Sequence, residues 1–342
     1  MARKPAPKAG QGSGKGGGRG KAGARGKENG RRKGGMRLCW LGLLAALLGL
    51  AAPLLTPLWL GFDIFSQFTI HFIIMAIACM AGLASRAGMK LAVPVFIGGI
   101  LALSAWAMSG RPPPEESGPT SGAQMRIMSF NTWTRNRDIG AIAAEVRRHV
   151  PDIVGMMEFA PPKEKLPSML KDMLPYHADC IDRPHCYIGV FSRWPMDRVS
   201  ARSLWAGPPY MHVVVRTPSG PLNVFVIHTL RFPWMRSQQK QLQAMARLVR
   251  KVKGPVVIMG DFNSTPFSIM MREFEATSRL RRHTFLPSWP AWAGPFPQLA
   301  IDHVFTSPSL RVISGPYLGA SSGSDHFPVI LTVEKSPAAA KK

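Results

Sequence analysis

Acidic side chains are scarce in this chain: 19 Asp and Glu stand against 43 Lys and Arg over 342 residues, a formal net charge of +24. The imbalance is uneven. Residues 1–37 hold 12 basic side chains and 1 acidic one, residues 38–124 hold 3 of each, and residues 125–335 hold 26 and 15. The N-terminal tail also lacks apolar residues. It is Gly, Lys, Arg and Ala almost throughout, which excludes a packed core and predicts disorder over 1–37. A basic tail beside a membrane segment sets topology or meets anionic lipid. Nucleic acid is the other polyanion that such charge attracts.

Cysteine is scarce too, with four residues. Cys39 and Cys79 fall in apolar stretches, whereas Cys180 and Cys186 bracket a short loop. If that loop joins antiparallel strands, the two sulfurs come within reach of a disulfide, which persists in an oxidising compartment. Two unpaired thiols fit the spacing equally well. Cys180, His185 and Cys186 look like a fragment of a zinc site, but no fourth ligand has suitable spacing, so zinc is excluded there.

Long apolar runs are what the first third has in excess. They span about 38–60, 62–83 and 91–108. Each approaches the ~20 residues that cross ~30 Å of hydrocarbon. Pro53, Pro57 and Pro94 are tolerated in membrane helices. No clear small-residue cleavage site precedes a polar start, and further apolar runs follow the first, which argues against a signal peptide. The loop at 85–90 carries Arg86 and Lys90 and no acid, so it and the basic tail are expected in the cytoplasm. Three crossings of a cytoplasmic (inner) membrane then leave everything after residue 108 outside the cytoplasm; two crossings, with the third run short or interfacial, would instead leave that domain in the cytoplasm. Residues 109–124, rich in Pro, Gly and Ser, read as a linker reaching at most about 50 Å. A soluble-type α/β domain follows over 125–335, with a short tail at 336–342.

In that domain apolar runs of strand length alternate with helical patterns. Strands are expected at 125–130, 152–157, 187–192, 212–217, 222–228, 256–259, 301–306 and 329–333, and helices at 138–149 and 234–252. Many strands with few helices suggest two packed sheets covered by helices. Polar residues cluster at the strand ends: Asn131, Glu158, His228, Asp261 with Asn263, Asp302 with His303, and Asp325 with His326. Any one alone reads as a turn or a satisfied structural group. Six in one domain point to a site.

The segments Ser129-Phe130-Asn131, Met157-Glu158, Ile227-His228-Thr229, Gly260-Asp261-Phe262-Asn263, Ile301-Asp302-His303-Val304 and Ser324-Asp325-His326-Phe327-Pro328 resemble the ordered signature of the endonuclease/exonuclease/phosphatase superfamily. The resemblance, to a membrane-anchored bacterial-type member, spans about residues 125–333. It implies a four-layer αββα sandwich and Mg2+- or Mn2+-dependent hydrolysis of phosphate esters. Met157 stands where many members carry Gln. Glu158 is then expected as principal ligand of a hard cation, with Asn131 and Asp302 completing or supporting it. Asp261 is expected beside the attacking water, and Asn263 on a phosphate oxygen. His326, oriented by Asp325, is expected as general base or phosphate stabiliser. His228 is expected on the phosphate or leaving group. His303 should point away from Asp302, because neighbours on a strand face opposite ways.

Substrate choice lies in the loops. Residues 285–299 carry Trp289, Trp292, Phe296 and four prolines, and Trp234 lies just past His228. Aromatics there suit stacked bases, a lipid interface or simple packing. The tether favours a phosphate ester at the membrane surface, such as a lipid-linked phosphate, with the bilayer as partner. A membrane-anchored nuclease acting on DNA and a non-catalytic membrane scaffold are the alternatives. The sequence indicates no protein partner.

Overall fold

The computed structural model describes residues 19–87, 98–99, 123–183, 185–202, 209–293 and 298–336. Nearly all of the third apolar run and the linker, and all but Ser336 of the final tail, lie outside the described residues.

Helix α1 (Arg19–Ala51) and helix α2 (Thr69–Ala87) are joined by short 3-10 segments, Ala52–Leu55 and Leu60–Phe68. Among the described residues, two stretches are long and apolar enough to cross a membrane, Gly34–Leu55 and Leu60–Ser85. Ala46, Leu50, Ile73, Ala76 and Met80 pack the two helices together. The tail expected to be disordered is helical from Arg19 onward. Lys, Arg, Ala and Glu are good helix formers and extending a nucleated helix needs no new nucleus, which works against the glycines of this stretch.

The domain beyond is two six-stranded sheets. The first has the order β11-β12-β1-β2-β4-β3. Its strands are β1 (Met125–Asn131), β2 (Ile153–Met157), β3 (Tyr176–Asp179), β4 (Ile188–Ser192), β11 (Leu310–Leu318) and β12 (Val329–Lys335). The second has the order β5-β6-β7-β8-β10-β9. It comprises β5 (Met196–Arg202), β6 (Tyr210–Thr217), β7 (Gly220–His228), β8 (Val256–Asp261), β9 (Arg281–Arg282) and β10 (Asp302–Thr306). Each contains one parallel pair, β1 with β2 and β7 with β8; the other pairings are antiparallel. Alternate residues such as Ile127, Ile153, Val224, Val226, Met259 and Leu331 meet between the sheets in one buried cluster. Gly155 marks their close approach, since a Cβ there would lie 2.5 Å from a Val226 methyl.

Helices cover both outer faces. Helix α3 (Ile139–His149) and helix α4 (Leu166–Leu170) pack on the first sheet around Phe130, Phe159 and Phe191. Asp138 caps α3 by accepting from the Ala141 N–H at 2.8 Å. Helix α5 (Met235–Arg250) and helix α6 (Ile269–Ser278) cover the second sheet. In α5 the buried positions Met235, Gln238, Leu242, Met245 and Val249 keep helical spacing on one face. The order helix, sheet, sheet, helix is the expected αββα arrangement. Between β3 and β4, Cys180 and Cys186 form a disulfide, so of the two readings the bridge is the one present.

The turn between α1 and α2 is built into this domain. Asp63 is fully buried, and its carboxylate accepts from the Ser268 hydroxyl and from the Ile269 N–H at 2.9 Å, at the start of α6. The Gln67 side-chain oxygen accepts from the Thr265 N–H at 2.7 Å, and the Thr265 hydroxyl donates to the Ser66 carbonyl at 3.2 Å. Leu60 and Ile64 pack on the α5–α6 core. Replacing Asp63→Ala strands two buried donors, one of them at a helix N-terminus. A loss of about 1–2 kcal/mol is expected, read as a lower Tm of the full-length protein in detergent. An unchanged Tm would mean that the docked turn adds no stability.

His283 is buried, with Nε2 2.8 Å from the Thr306 hydroxyl oxygen. Burial, with Arg281 and Arg282 adding to it, pushes its pKa from 6.5 down to about 4. The folded state therefore holds His283 neutral, whereas the unfolded chain gains a proton near pH 6.5. The resulting stability is whole above pH 6.5 and is lost as pH falls toward 4, by on the order of 2–3 kcal/mol. Thermal unfolding followed across that window should show a steep loss of Tm in the wild type and a flatter one in His283→Gln. Parallel curves would contradict this origin.

Candidate active site

The site assembles because strand directions agree. The parallel strands β1 and β2 end together, placing Asn131 and Glu158 at one rim; β7 and β8 end together, placing His228 and Asp261 at the other. Strands β10 and β12 run antiparallel to their neighbours, so their starts, with Asp302 and with Asp325-His326 just ahead, reach the same end. His228 pairs with Asp261, and Asp261 with Asp302, as cross-strand neighbours, and such partners project to the same face of a sheet. Gly260 makes the approach to Asp261 possible. Its φ is +148°, and a Cβ would fall 1.9 Å from the Ile227 carbonyl oxygen.

Asn131 and Asp261 are the hub. The Asn131 amide nitrogen lies 3.1 Å from Asp261 Oδ2, 3.4 Å from Glu158 Oε1 and 3.4 Å from His326 Nε2. Asp261 Oδ1 accepts from the Asn263 N–H at 2.8 Å. His228 Nε2 and His326 Nε2 flank Asp261 Oδ2 at 3.6 and 3.7 Å. Asn263 adopts a left-handed backbone (φ 48°), and its amide nitrogen donates to the Thr229 carbonyl at 2.9 Å. All eight residues expected at the site are thus at this end of the sandwich.

One pairing differs from expectation. His326 Nδ1 meets Asp302 Oδ2 at 2.7 Å, so Asp302 orients the imidazole rather than Asp325. Side chains adjacent in an extended loop diverge, whereas Asp302 approaches across the sandwich. Ser324 fixes that loop, donating to the Asn131 carbonyl at 2.7 Å and accepting from the His326 N–H at 3.1 Å. Asp325 instead accepts from the Trp289 indole N–H at 3.2 Å. His303 points the other way, as alternation requires, with Nε2 2.9 Å from the Ser264 carbonyl oxygen.

The electrostatics follow from burial and like charge. Burial pushes the Asp261 carboxyl up, Asp302 beside it pushes it further, and His326 and His228 partly offset both. Burial disfavours the His326 imidazolium, but Asp302, Asp261 and Asp325 outweigh it and raise its pKa. Glu158 ends below its ordinary value: burial would raise it, but the His228 charge and hydrogen bonds from Thr134 and Asn131 prevail.

Two supporting groups carry no motif in the sequence. Thr134 donates to Glu158 Oε2 through its N–H at 2.6 Å and also through its hydroxyl. Lys163 is fully buried, and its ammonium donates to the carbonyls of Trp133 at 2.9 Å and Glu158 at 3.2 Å. Burial lowers the Lys163 pKa to about 8 against the opposing pull of Glu158. Thr134 lies three residues past Asn131 and Lys163 five past Glu158, a proximity that is the only sequence trace of them.

The donor set suits a hard divalent cation. Ligand atoms of Asp261, Asp302 and His326 lie within 4.8 Å of one another, and the buried Asp302 Oδ1 has no hydrogen-bond partner. This grouping differs from the expected set of Glu158, Asn131 and Asp302. Asp302 sits with Asp261 and His326, while Glu158 joins them through Asn131. Asn131 presents its nitrogen to the carboxylates, and a half-turn of the amide would present its oxygen instead.

Two lobes open from the site and share Thr134, Glu158, Arg231 and Asn263. One, of about 410 Å3, runs past His228 to Tyr187 and Trp234. The other, of about 510 Å3, runs past His326 to Trp133, Phe232 and Trp289.

Among solved structures, a humanized TDP2 of D. rerio is 13% identical, covering 62% of this chain and 99% of that one, with a TM-score of 0.50. An endonuclease/exonuclease/phosphatase from Beutenbergia cavernae is 20% identical over 62% of this chain and 72% of that one, with a TM-score of 0.48. The sphingomyelinase C of Streptomyces griseocarneus is 16% identical over 61% and 99%, with a TM-score of 0.47. At 13% identity the likeness to TDP2 is one of fold alone. No curated protein sequence matches the chain. A model described as the Endonuclease/Exonuclease/phosphatase family matches residues 128–326, and with the order and geometry of the strand-end residues above, the chain belongs to that family.

Proposed function

We propose that this protein is a membrane-anchored, Mg2+- or Mn2+-dependent phosphoesterase, a phosphodiesterase or phosphatase, acting at a membrane surface. The observation that carries the reading is the meeting of Asn131, Glu158, His228, Asp261, Asp302 and His326 at one end of two sheets. Glu158, Asn131 and Asp302, with Asp261 beside them, would hold the ion. Once bound, it neutralises phosphate charge and acidifies a bound water. Asp261 orients the attacking water against phosphorus. Asn263 turns its amide toward a phosphate oxygen. His326 has Nδ1 committed to Asp302, which leaves Nε2 facing the reacting group. His228, across Asp261, attends the departing ester oxygen, which takes up a proton as its P–O bond breaks, while the attacking water gives up one toward Asp261 as the new P–O bond forms.

Full-length protein in detergent should hydrolyse p-nitrophenyl phosphate or its bis ester with Mg2+ or Mn2+ and not with chelator. Asp261→Asn should reduce the rate by at least about 100-fold, as loss of a positioned acid–base group does. Full activity in chelator, or in the variant, would sink the proposal.

We also propose that α1 and α2 cross the bilayer, with the N-terminus cytoplasmic and the domain outside. The supporting argument is parity. The turn Leu60–Phe68 touches the domain, so the two share a side. The far end of α2 lies on the opposite side, and the chain must cross back before Met125. The 91–108 run is the segment with the length to do so. The Cys180–Cys186 bridge fits an oxidising compartment. A C-terminal alkaline phosphatase fusion should be active and a fluorescent-protein fusion dark; the reverse pattern would place the domain in the cytoplasm.

A further inference from the structure

We infer that the turn of the membrane hairpin is one wall of the catalytic pocket, and that the substrate is a phosphate ester whose apolar chain stays in the bilayer. The inference rests on the phosphoesterase and membrane readings above and names the substrate class of that same site.

The 510 Å3 lobe is lined on one side by Glu158, Asp261, Asn263, Asp325 and His326. On another side it is lined by Ile64, Gln67 and Phe68, which belong to the hairpin turn and not to the sandwich. The turn does not rest there loosely. Asp63, Ser66 and Gln67 are hydrogen-bonded to residues 264–269, the loop that directly follows Asp261 and Asn263. The same chain segment thus leaves the membrane and shapes the pocket.

Length places the pocket relative to the bilayer. Helix α2 has 19 residues, about 28 Å at 1.5 Å per residue, close to the ~30 Å hydrocarbon thickness. It covers the hydrocarbon alone, so Leu60–Phe68 emerges at the interface on the domain's side. The surface nearby suits that depth. Leu58 is 81% exposed, Trp59 59% and Phe232 58%, and Trp and Phe are at home at such an interface. Phe232 lines the lobe together with Phe68, Trp133, Trp289 and Leu299, giving an apolar side that leads toward the hairpin. Arg135 and Arg231 line the same lobe and supply positive charge for a phosphate. A headgroup phosphate meets the carboxylate–histidine end while its chain passes Ile64 and Phe68 into the bilayer. A duplex would have to slide between the domain and the membrane.

The test uses full-length protein in phosphatidylcholine nanodiscs with Mg2+. Binding of hexadecylphosphonate and butylphosphonate, neither of which has a cleavable ester, is measured by calorimetry with empty nanodiscs subtracted. The long-chain probe should bind at least about tenfold more tightly. Phe68→Glu, and separately Ile64→Asn, should remove most of that preference. Equal binding of the two probes in the wild type overturns the inference, as does a preference untouched in both variants. Binding of duplex DNA without a chain-length preference overturns it in favour of a nucleic-acid substrate. Failure to hydrolyse either p-nitrophenyl probe defeats the phosphoesterase reading instead, and the binding comparison distinguishes that case because it needs no turnover.

Discussion

Two buried carboxylates on neighbouring strands set the terms for the rest of this site. Asp261 and Asp302 are cross-strand partners, 2% and 1% exposed. Two like charges at that spacing and burial cannot both persist without compensation. The compensation is visible residue by residue: His326 against Asp302, His228 and Asn131 against Asp261, and the Asn263 N–H on its second oxygen. One oxygen of Asp302 still lacks a partner. The divalent ion of the proposed function would answer that deficit, which links the fold's tolerance of the pair to the chemistry proposed for it.

The pair exists because the two sheets repeat one plan. Across the four inner strands, β12, β1, β2 and β4 match β10, β8, β7 and β6 in order and in relative direction. Asn131 then corresponds to Asp261, Glu158 to His228, and the Asp325-His326 start to the Asp302 start. Each sheet delivers polar groups to its rim from three strand ends, and packing the sheets face to face brings the two sets together. The close approach at Gly155 and the backbone permitted by Gly260 are what allow the rims to meet at hydrogen-bonding range.

Much of this was legible in the sequence because apolar strands ending in a polar residue leave a local signature. Ten elements, from the strand at 125–130 to that at 329–333, appear close to their expected bounds. What escaped has physical causes. Strand β11 is broken by register shifts at Val312/Ser314 and Ser314/Tyr317, which destroys period-two alternation. Helix α6 has only ten residues, too few for a strong periodic signal. Adjacency along the chain is not adjacency in space: Asp325 adjoins His326, yet the carboxylate that orients the imidazole, Asp302, arrives from 24 positions away. Thr134 and Lys163 escaped because they act on Glu158 through one oxygen and one carbonyl, a contact that composition does not encode.

Asp63 shows where sequence reading and structure part most usefully. On hydropathy it falls inside the second apolar run, where a carboxylate is costly. The structure gives it a donor from Ser268 and another from Ile269, at the positive end of a helix, with no exposure to either water or lipid. An acid in that position has little reason to exist in a plain anchor, which needs only apolar length. It has reason in a hairpin whose turn must be held against α6 in one register, because the next turn of chain supplies Ile64, Gln67 and Phe68 to the pocket. The apolar hairpin is therefore better understood as a structural part of the pocket wall than as a segment that happens to precede the domain.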